Sequence, residues 1–350
     1  HPEQVEDICA AAGMKTIPVG KSFGVMIVVA PSGDNVEVAT FRSDSAYIDG
    51  RRPTTVSYSD ARTDVERRDF TVNALLLHPR NGTLIDHVGA QADLQQKCLR
   101  AVGDAASRLR EDRLRVLRGL RFAAQLGFTI EAATWRAICD TSLAGLSAER
   151  LMQEWDKALA GPDPGCWLRL LAESGKLAEF CPPLTDSAAT CERLARLVPA
   201  DGIALRSAVF LAAAGTAARA WLEAQPLPGE RVKAIVWLLA TDPAVLAQGP
   251  VAARWRTLRS GWPAELLRFT ACCTPEHPLL GELSVWADDP RAARTWKPLL
   301  KAADLLALGF TPGPQLGRAL ADLEDQELSG AIHDRDEALR LALKLRHPAL

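Results

Sequence analysis

The feature that most limits the fold is a change of apolar period along the chain. Val25 to Ala30 is a continuous apolar run, PSGDN supplies turn residues, and Asn35 to Arg42 alternates as NVEVATFR. The first stretch reads as a strand buried on both faces and the second as its antiparallel partner, buried on one. Arg67 to Leu77 leads into a second hairpin, with Pro79 to Gly82 as the turn and Thr83 to Asp86 as the return strand. From about Asp104 onward nothing reads as a strand. Segments 108–126, 130–140, 147–160, 165–178, 188–198, 203–224, 229–240, 250–258, 263–272, 291–308, 314–329 and 334–345 carry apolar residues at helical spacing between Gly and Pro breaks. The pattern predicts an α+β chain, a small head of antiparallel strands followed by a long all-helical part.

Composition sets outer limits. A chain of 350 residues, 48% hydrophobic and 24% charged, has the make-up of a globular protein of two to four subdomains. No apolar run approaches the ~18 residues that a membrane span needs. The net charge of −2 does not point to a polyanionic partner by itself, but arginine is concentrated in stretches such as 108–121. Eight cysteines without a CxxC pair argue against a zinc site or a disulfide framework and for reduced thiols in the cytoplasm. Eight of the nine tryptophans follow residue 150, where they are expected to anchor helix packing. His333-Asp334 has no partner histidines at helical spacing and reads as a surface pair.

Two stretches carry candidate chemistry. RLREDRLRVLRGLRFAAQLGF, residues 108–128, reads as one amphipathic helix with Asp112, Arg115, Arg118 and Arg121 at every third position. A helix turns about 100° per residue, so Asp112 and Arg115 should be neighbours and the later arginines should spiral away. A carboxylate beside a guanidinium offers acceptors and donors in one plane for the Watson-Crick edge of a base, and arginines beyond it suit phosphates. The polar, turn-rich stretch 43–66, centred on DGRRP, is too long for a tight connection and reads as a mobile loop.

The order EVATFR, RRDFTVNAL, IDHVG and EDRLRVLRGLRFAAQLGF resembles the class II tRNA nucleotidyltransferase/poly(A) polymerase family, which includes the bacterial CCA-adding enzymes. The resemblance is strong over residues 1–160; beyond it GFTPGPQLGRAL (309–320) is similar to the family's tail. It implies a partial nucleotidyltransferase head of the polymerase-beta type (1–100), a helical neck (101–160), and a body and tail that bind tRNA (161–350). The implied activity is addition of CMP, CMP and AMP from CTP and ATP to the 3′ end of tRNA without a nucleic-acid template. The partners would be CTP, ATP and the acceptor and T arms of tRNA, with no membrane and no protein partner.

By the same resemblance, Arg68, Asp69 and Asn73 contact sugar and phosphates, Asp112 and Arg115 read the base, Glu111 braces Arg115, and Arg118 and Arg121 reach the triphosphate. Asp49, Arg51 and Arg52 would belong to a flexible loop that reshapes the pocket between C and A addition, and Asp86 would join head to neck. The family holds two Mg2+ ions on an Asp-x-Asp strand preceded by Gly-Gly-x-x-Arg-Asp, and the head of this sequence contains neither segment. Glu37, between Val36 and Val38, matches the downstream acid and is the one catalytic and metal residue assigned. A start at His1 without a signal organisation reads as a cut within a longer protein, and this stretch alone is expected to be inactive. Alternatives are a poly(A) polymerase, an enzyme adding only CC or only A, and an RNA-binding protein without catalysis.

Overall fold

The computed structural model describes residues 1–21, 24–44 and 56–346, which form two compact units, 1–187 and 188–350. The first contains α1 (Pro2–Ala11), β1 (Lys15–Gly20), β2 (Val25–Val29), β3 (Asn35–Ala39), β4 (Arg42–Asp44), β5 (Val56–Tyr58), α2 (Ala61–Glu66), β6 (Leu76–Leu77), β7 (Leu84–Ile85), α3 (Ala90–Gln95), β8 (Cys98–Leu99), α4 (Ala105–Glu111), α5 (Leu114–Leu126), β9 (Thr129–Ile130), α6 (Ala132–Asp140), α7 (Ala148–Leu159), α8 (Pro164–Glu173) and α9 (Lys176–Phe180). The second unit holds α10 (Ser187–Leu194), α11 (Ile203–Leu211), α12 (Ala217–Glu223), α13 (Gly229–Ala240), α14 (Pro243–Gln248), α15 (Val251–Ser260), α16 (Pro263–Cys273), α17 (Leu280–Asp288), α18 (Ala302–Ala307), α19 (Pro314–Ser329) and α20 (Arg335–Arg346).

The α+β architecture is as expected, with differences that have local causes. The first hairpin is part of a three-stranded antiparallel sheet in the order β1-β2-β3. β1 was not anticipated because Pro18 interrupts it; Pro is tolerated there since β1 is an edge, and its register slips between Ile17 and Gly20. β3, expected to bury one face, is the opposite edge and leaves only Val38 half-buried. In the second hairpin only two residues on each side pair, β6 with β7, and Thr71–Asn73 form a 3-10 turn instead of strand. β9 corrects the expectation of no strand after 104, since it pairs in parallel with β8. Of the polar stretch 43–66, β5 pairs with β4 and Asp60 caps α2 by accepting from the Thr63 N–H at 2.8 Å.

The largest correction lies in the charged segment. The single helix expected over 108–126 is two, because Asp112 is extended at φ −143° and ψ 103° and separates α4 from α5. α5 then runs to Gly127, which closes it at φ 65°. Its inner face buries Leu117 and Leu120, and a small cluster forms from Phe70, Leu99 and Ala123. Gly119 lets Phe70 lie against the helix, since a Cβ there would sit 2.9 Å from the Phe70 ring. The aromatic residue beside Asp69 is thereby seated on α5.

Farther along, the segment expected at 165–178 breaks at Gly175 and that at 203–224 breaks at Gly215, both at positive φ. Of 291–308 only α18 is regular helix beyond a 3-10 turn at Pro290–Ala292, while α14 and α17 were not anticipated. Trp155, Trp167, Trp255 and Trp286 are buried, in line with their reading as packing anchors. Arginines lie over several of these rings, Arg254 over Trp286 at 4.3 Å and Arg291 over Trp255 at 4.2 Å. The last three helices share a core of Leu305, Phe310, Leu323 and Ala338.

Candidate nucleotide site

The joint between α4 and α5 gathers the charged residues. Asp104 caps α4 through the Ser107 N–H at 2.8 Å, and Asp112 caps α5, its Oδ1 accepting from the Leu114 N–H at 3.1 Å. The same carboxylate receives Arg150 of α7, whose Nη2 lies 2.9 Å from Oδ1 and 2.7 Å from Oδ2. Both side chains are mostly covered, at 18% exposure for Asp112 and 17% for Arg150. Arg115, 8% exposed, is held more firmly. Its Nη1 donates to the Arg108 carbonyl at 2.8 Å and to Glu111 Oε2 at 2.7 Å, and its Nη2 to the Arg67 carbonyl at 3.2 Å. Glu111 also accepts from Arg108 Nη1 at 2.9 Å. The carboxylate and guanidinium expected side by side on one helix are therefore set by a helix break, with Glu111 behind Arg115 as anticipated.

The RRDFT segment meets α5 one turn farther on. Asp69 Oδ2 accepts from Arg118 Nε at 2.8 Å and Nη2 at 2.6 Å, while Oδ1 accepts from the Asn73 amide at 3.1 Å and the Phe70 N–H at 2.9 Å. Arg68 donates to the Asn73 carbonyl at 2.7 Å and to Asp64 Oδ2 at 3.1 Å. Asp64 is not among the residues that the motifs single out, although its spacing of three and four residues from Arg67 and Arg68 is the helical ion-pair signal. It is buried and joins the Arg42 N–H, Arg67 and Arg68. Burial pushes its carboxyl up, but Arg67, the Arg42 amide and Arg68 outweigh this and hold it below the usual range.

Other expected residues lie apart from this joint. Arg121 is 6% exposed and pairs at 2.6 Å with Glu154 of α7, which is 1% exposed. It also donates to Gln125 at 2.8 Å and lies 4.1 Å over the Phe122 ring, so it braces α5 against α7 and does not extend outward as a triphosphate contact would. Glu37 is exposed on β3 opposite Ile27, with no hydrogen bond or ion pair to its side chain among the described residues. Asp86 accepts from the N–H groups of Val88, Gly89, Ala90 and Gln91 and caps α3. Burial raises its carboxyl, and the four amides more than reverse this. Asp49, Arg51 and Arg52 lie outside the described residues.

The described residues do not bring three or more His, Cys, Asp or Glu side chains together as metal ligands. Glu37 alone does not fit a two-ion site, which needs clustered carboxylates.

Residues 1–100 match the family described as the Poly A polymerase head domain, and residues 127–187 the one described as the probable RNA and SrmB-binding site of polymerase A. The CCA-adding enzyme of Geobacillus thermodenitrificans is 36% identical over 282 residues, 77% of this chain and 68% of that protein. That of Levilactobacillus brevis is 32% identical over 360 residues, covering 98% of this chain and 86% of the relative. The crystal structure of the Bacillus stearothermophilus CCA-adding enzyme in complex with CTP superposes with a TM-score of 0.76 at 29% identity, over 95% of this chain and 85% of that one. The Thermotoga maritima CCA-adding enzyme complexed with tRNA shares the fold at a TM-score of 0.68 and 21% identity, over 97% of this chain and 83% of that one. With both halves of the charged joint in place and identity extending over nearly all of its length, the chain belongs to the family of CCA-adding enzymes.

Proposed function

We infer that this protein is an RNA nucleotidyltransferase that selects CTP and ATP and places CMP, CMP and AMP on the 3′ end of tRNA. The observation that carries the reading is Asp112, an ion-paired carboxylate at the helix break with the braced Arg115 one turn on. A carboxylate in this state only accepts hydrogen bonds. Cytosine and adenine both present an exocyclic amine, a donor, where uracil and guanine present a carbonyl oxygen. An acceptor fixed opposite that edge admits the first pair and leaves the second facing a lone pair. Rejection by unmade hydrogen bonds discriminates strongly. Arg115 Nη1 has both protons engaged and Nη2 one, so one Nη2 proton and Nε–H remain for a ring nitrogen.

Asn73 and Arg118 supply an amide and a cation for ribose and phosphate, Asp69 holds both in place with its own acceptor positions taken, and Arg68 fixes Asn73 from behind. We assign 101–160 as the neck and 161–350 as a body and tail that hold tRNA through its phosphates, because one enzyme must accept every tRNA. Mg2+ is the ion that transfer of this class uses, and of its expected ligands only Glu37 has a counterpart among the described residues, too few for a two-ion site. Complete CCA addition is favoured over CC or A alone because residues 43–66 span the full stretch that reshapes the pocket in this family. No helix among the described residues is long and apolar enough to cross a membrane, and a cytoplasmic setting suits a tRNA substrate.

The test is binding of the four nucleoside triphosphates by equilibrium dialysis, with tRNA binding followed alongside. CTP and ATP should each bind at least about tenfold tighter than UTP and GTP. A preference for ATP alone would indicate a poly(A) polymerase, and equal binding of all four would refute the base-reading role of the joint.

A further inference from the structure

Two ion pairs tie α7 to α5 and the joint before it: Arg150 to Asp112, and four residues later Glu154 to Arg121. The second is a buried brace. The first touches the base-reading carboxylate itself, and its geometry does more than hold two helices together. We propose that Arg150 is a specificity-determining positioning residue, which leaves Asp112 a single open acceptor site; this rests on the reading of Asp112 given above.

A carboxylate offers about four lone-pair positions, two on each oxygen. Oδ1 accepts from the Leu114 N–H at 3.1 Å and from Arg150 Nη2 at 2.9 Å, which fills it. Oδ2 accepts from the same Nη2 at 2.7 Å and keeps one position. With one donor nitrogen astride both oxygens and a backbone amide on one of them, rotation about the terminal torsion, otherwise broad for Asp, is arrested. An incoming base therefore meets one acceptor of fixed direction, which one amine proton of cytosine or adenine satisfies. Without Arg150 the carboxylate can turn, and three positions are open to water. A water molecule donating to both the carboxylate and the O4 of uracil would heal the mismatch on which discrimination depends. Arg150 thus acts through Asp112, by keeping that bridge from forming.

The experiment measures the ratio of UTP to CTP dissociation constants for the 350-residue protein, alongside thermal unfolding. Arg150→Ala should lower the ratio about tenfold, mainly by tightening UTP, and Arg150→Gln, which keeps one amide donor, should fall between. Glu154→Gln, which weakens the other ion pair, should lower the unfolding temperature and leave the ratio unchanged. The proposal is overturned if both Arg150 variants keep the wild-type ratio, or if Glu154→Gln lowers it as much as Arg150→Ala does. A wild-type protein that does not distinguish CTP from UTP would instead refute the underlying assignment of Asp112, a separate and recognisable failure.

Discussion

Replacing Glu154 with leucine would strand the guanidinium of Arg121 in the interior. Glu154 is 1% exposed and sits 2.6 Å from Arg121 Nε. Removing one partner of a buried ion pair typically costs about 3–5 kcal/mol, most of it the penalty for the charge left behind. Arg121 keeps the Gln125 oxygen at 2.8 Å and the Phe122 ring at 4.1 Å, and both soften the loss. Lys157, 52% exposed, returns to water at little cost when its own contact with Glu154 goes. The expected loss is therefore near the lower end, about 3 kcal/mol. For a cooperative unit of the size of residues 1–187, at ~2–4 °C per kcal/mol, that corresponds to a fall of about 6–12 °C in the Tm of its calorimetric transition. Pairing the change with Arg121→Met removes the stranded charge and should restore all but about 1 kcal/mol. A single variant less than about 1 kcal/mol destabilised, or a double variant no better than the single, would show that Arg121 does not carry its charge into the core. In that event its expected role as a triphosphate contact would regain ground.

Gly119→Ala should destabilise the first unit by about 1–3 kcal/mol, against the gain that helix propensity alone predicts, because the new methyl group meets Phe70 at 2.9 Å; chemical denaturation reads the sign. Asp64, whose carboxyl is held below its ordinary value, contributes stability present above about pH 4 and lost as the pH falls through its lowered folded value. Asp64→Asn should accordingly flatten the acid limb of an unfolding titration, and an unchanged limb would count against the assignment. Glu327 shows the opposite sign: burial and the nearby Glu324 raise its carboxyl, so its charge weakens the fold as the pH rises through that value. Glu327→Gln should make the second unit more stable at pH 7 and leave it unchanged at pH 3. Binding of tRNA should weaken steeply between 50 and 200 mM salt and vary little with tRNA sequence, as phosphate contacts require; a flat response would refute it.

The α+β division and the long helices could be read from the sequence because period carries that information over ten or more residues. The two-residue strands could not, since β8 and β9 are made by tertiary pairing of segments about thirty residues apart. The break at Asp112 is hidden for a related reason. EDRLR scores as helix locally, and what ends α4 is a side chain that caps the next helix while held by Arg150 from α7. Of the residues that the motifs single out, Glu111 pairs with Arg115, and Asp69 with Arg118 and Asn73. The fate of Arg121 was not legible, because its partner lies 33 residues away on another helix. Asp64 sits in a polar stretch whose composition reads as loop, although the ion-pair spacing it carries is local.

Asp112→Asn asks whether a carboxylate acceptor at the helix break reads the base. The amide replaces one acceptor with a donor of nearly the same shape, and the four nucleoside triphosphate affinities are measured before and after. CTP and ATP should weaken by about tenfold or more while UTP and GTP hold or tighten, so that the preference narrows or inverts. An equal loss for all four nucleotides would contradict it and leave Asp112 as the cap of α5 and the partner of Arg150 only.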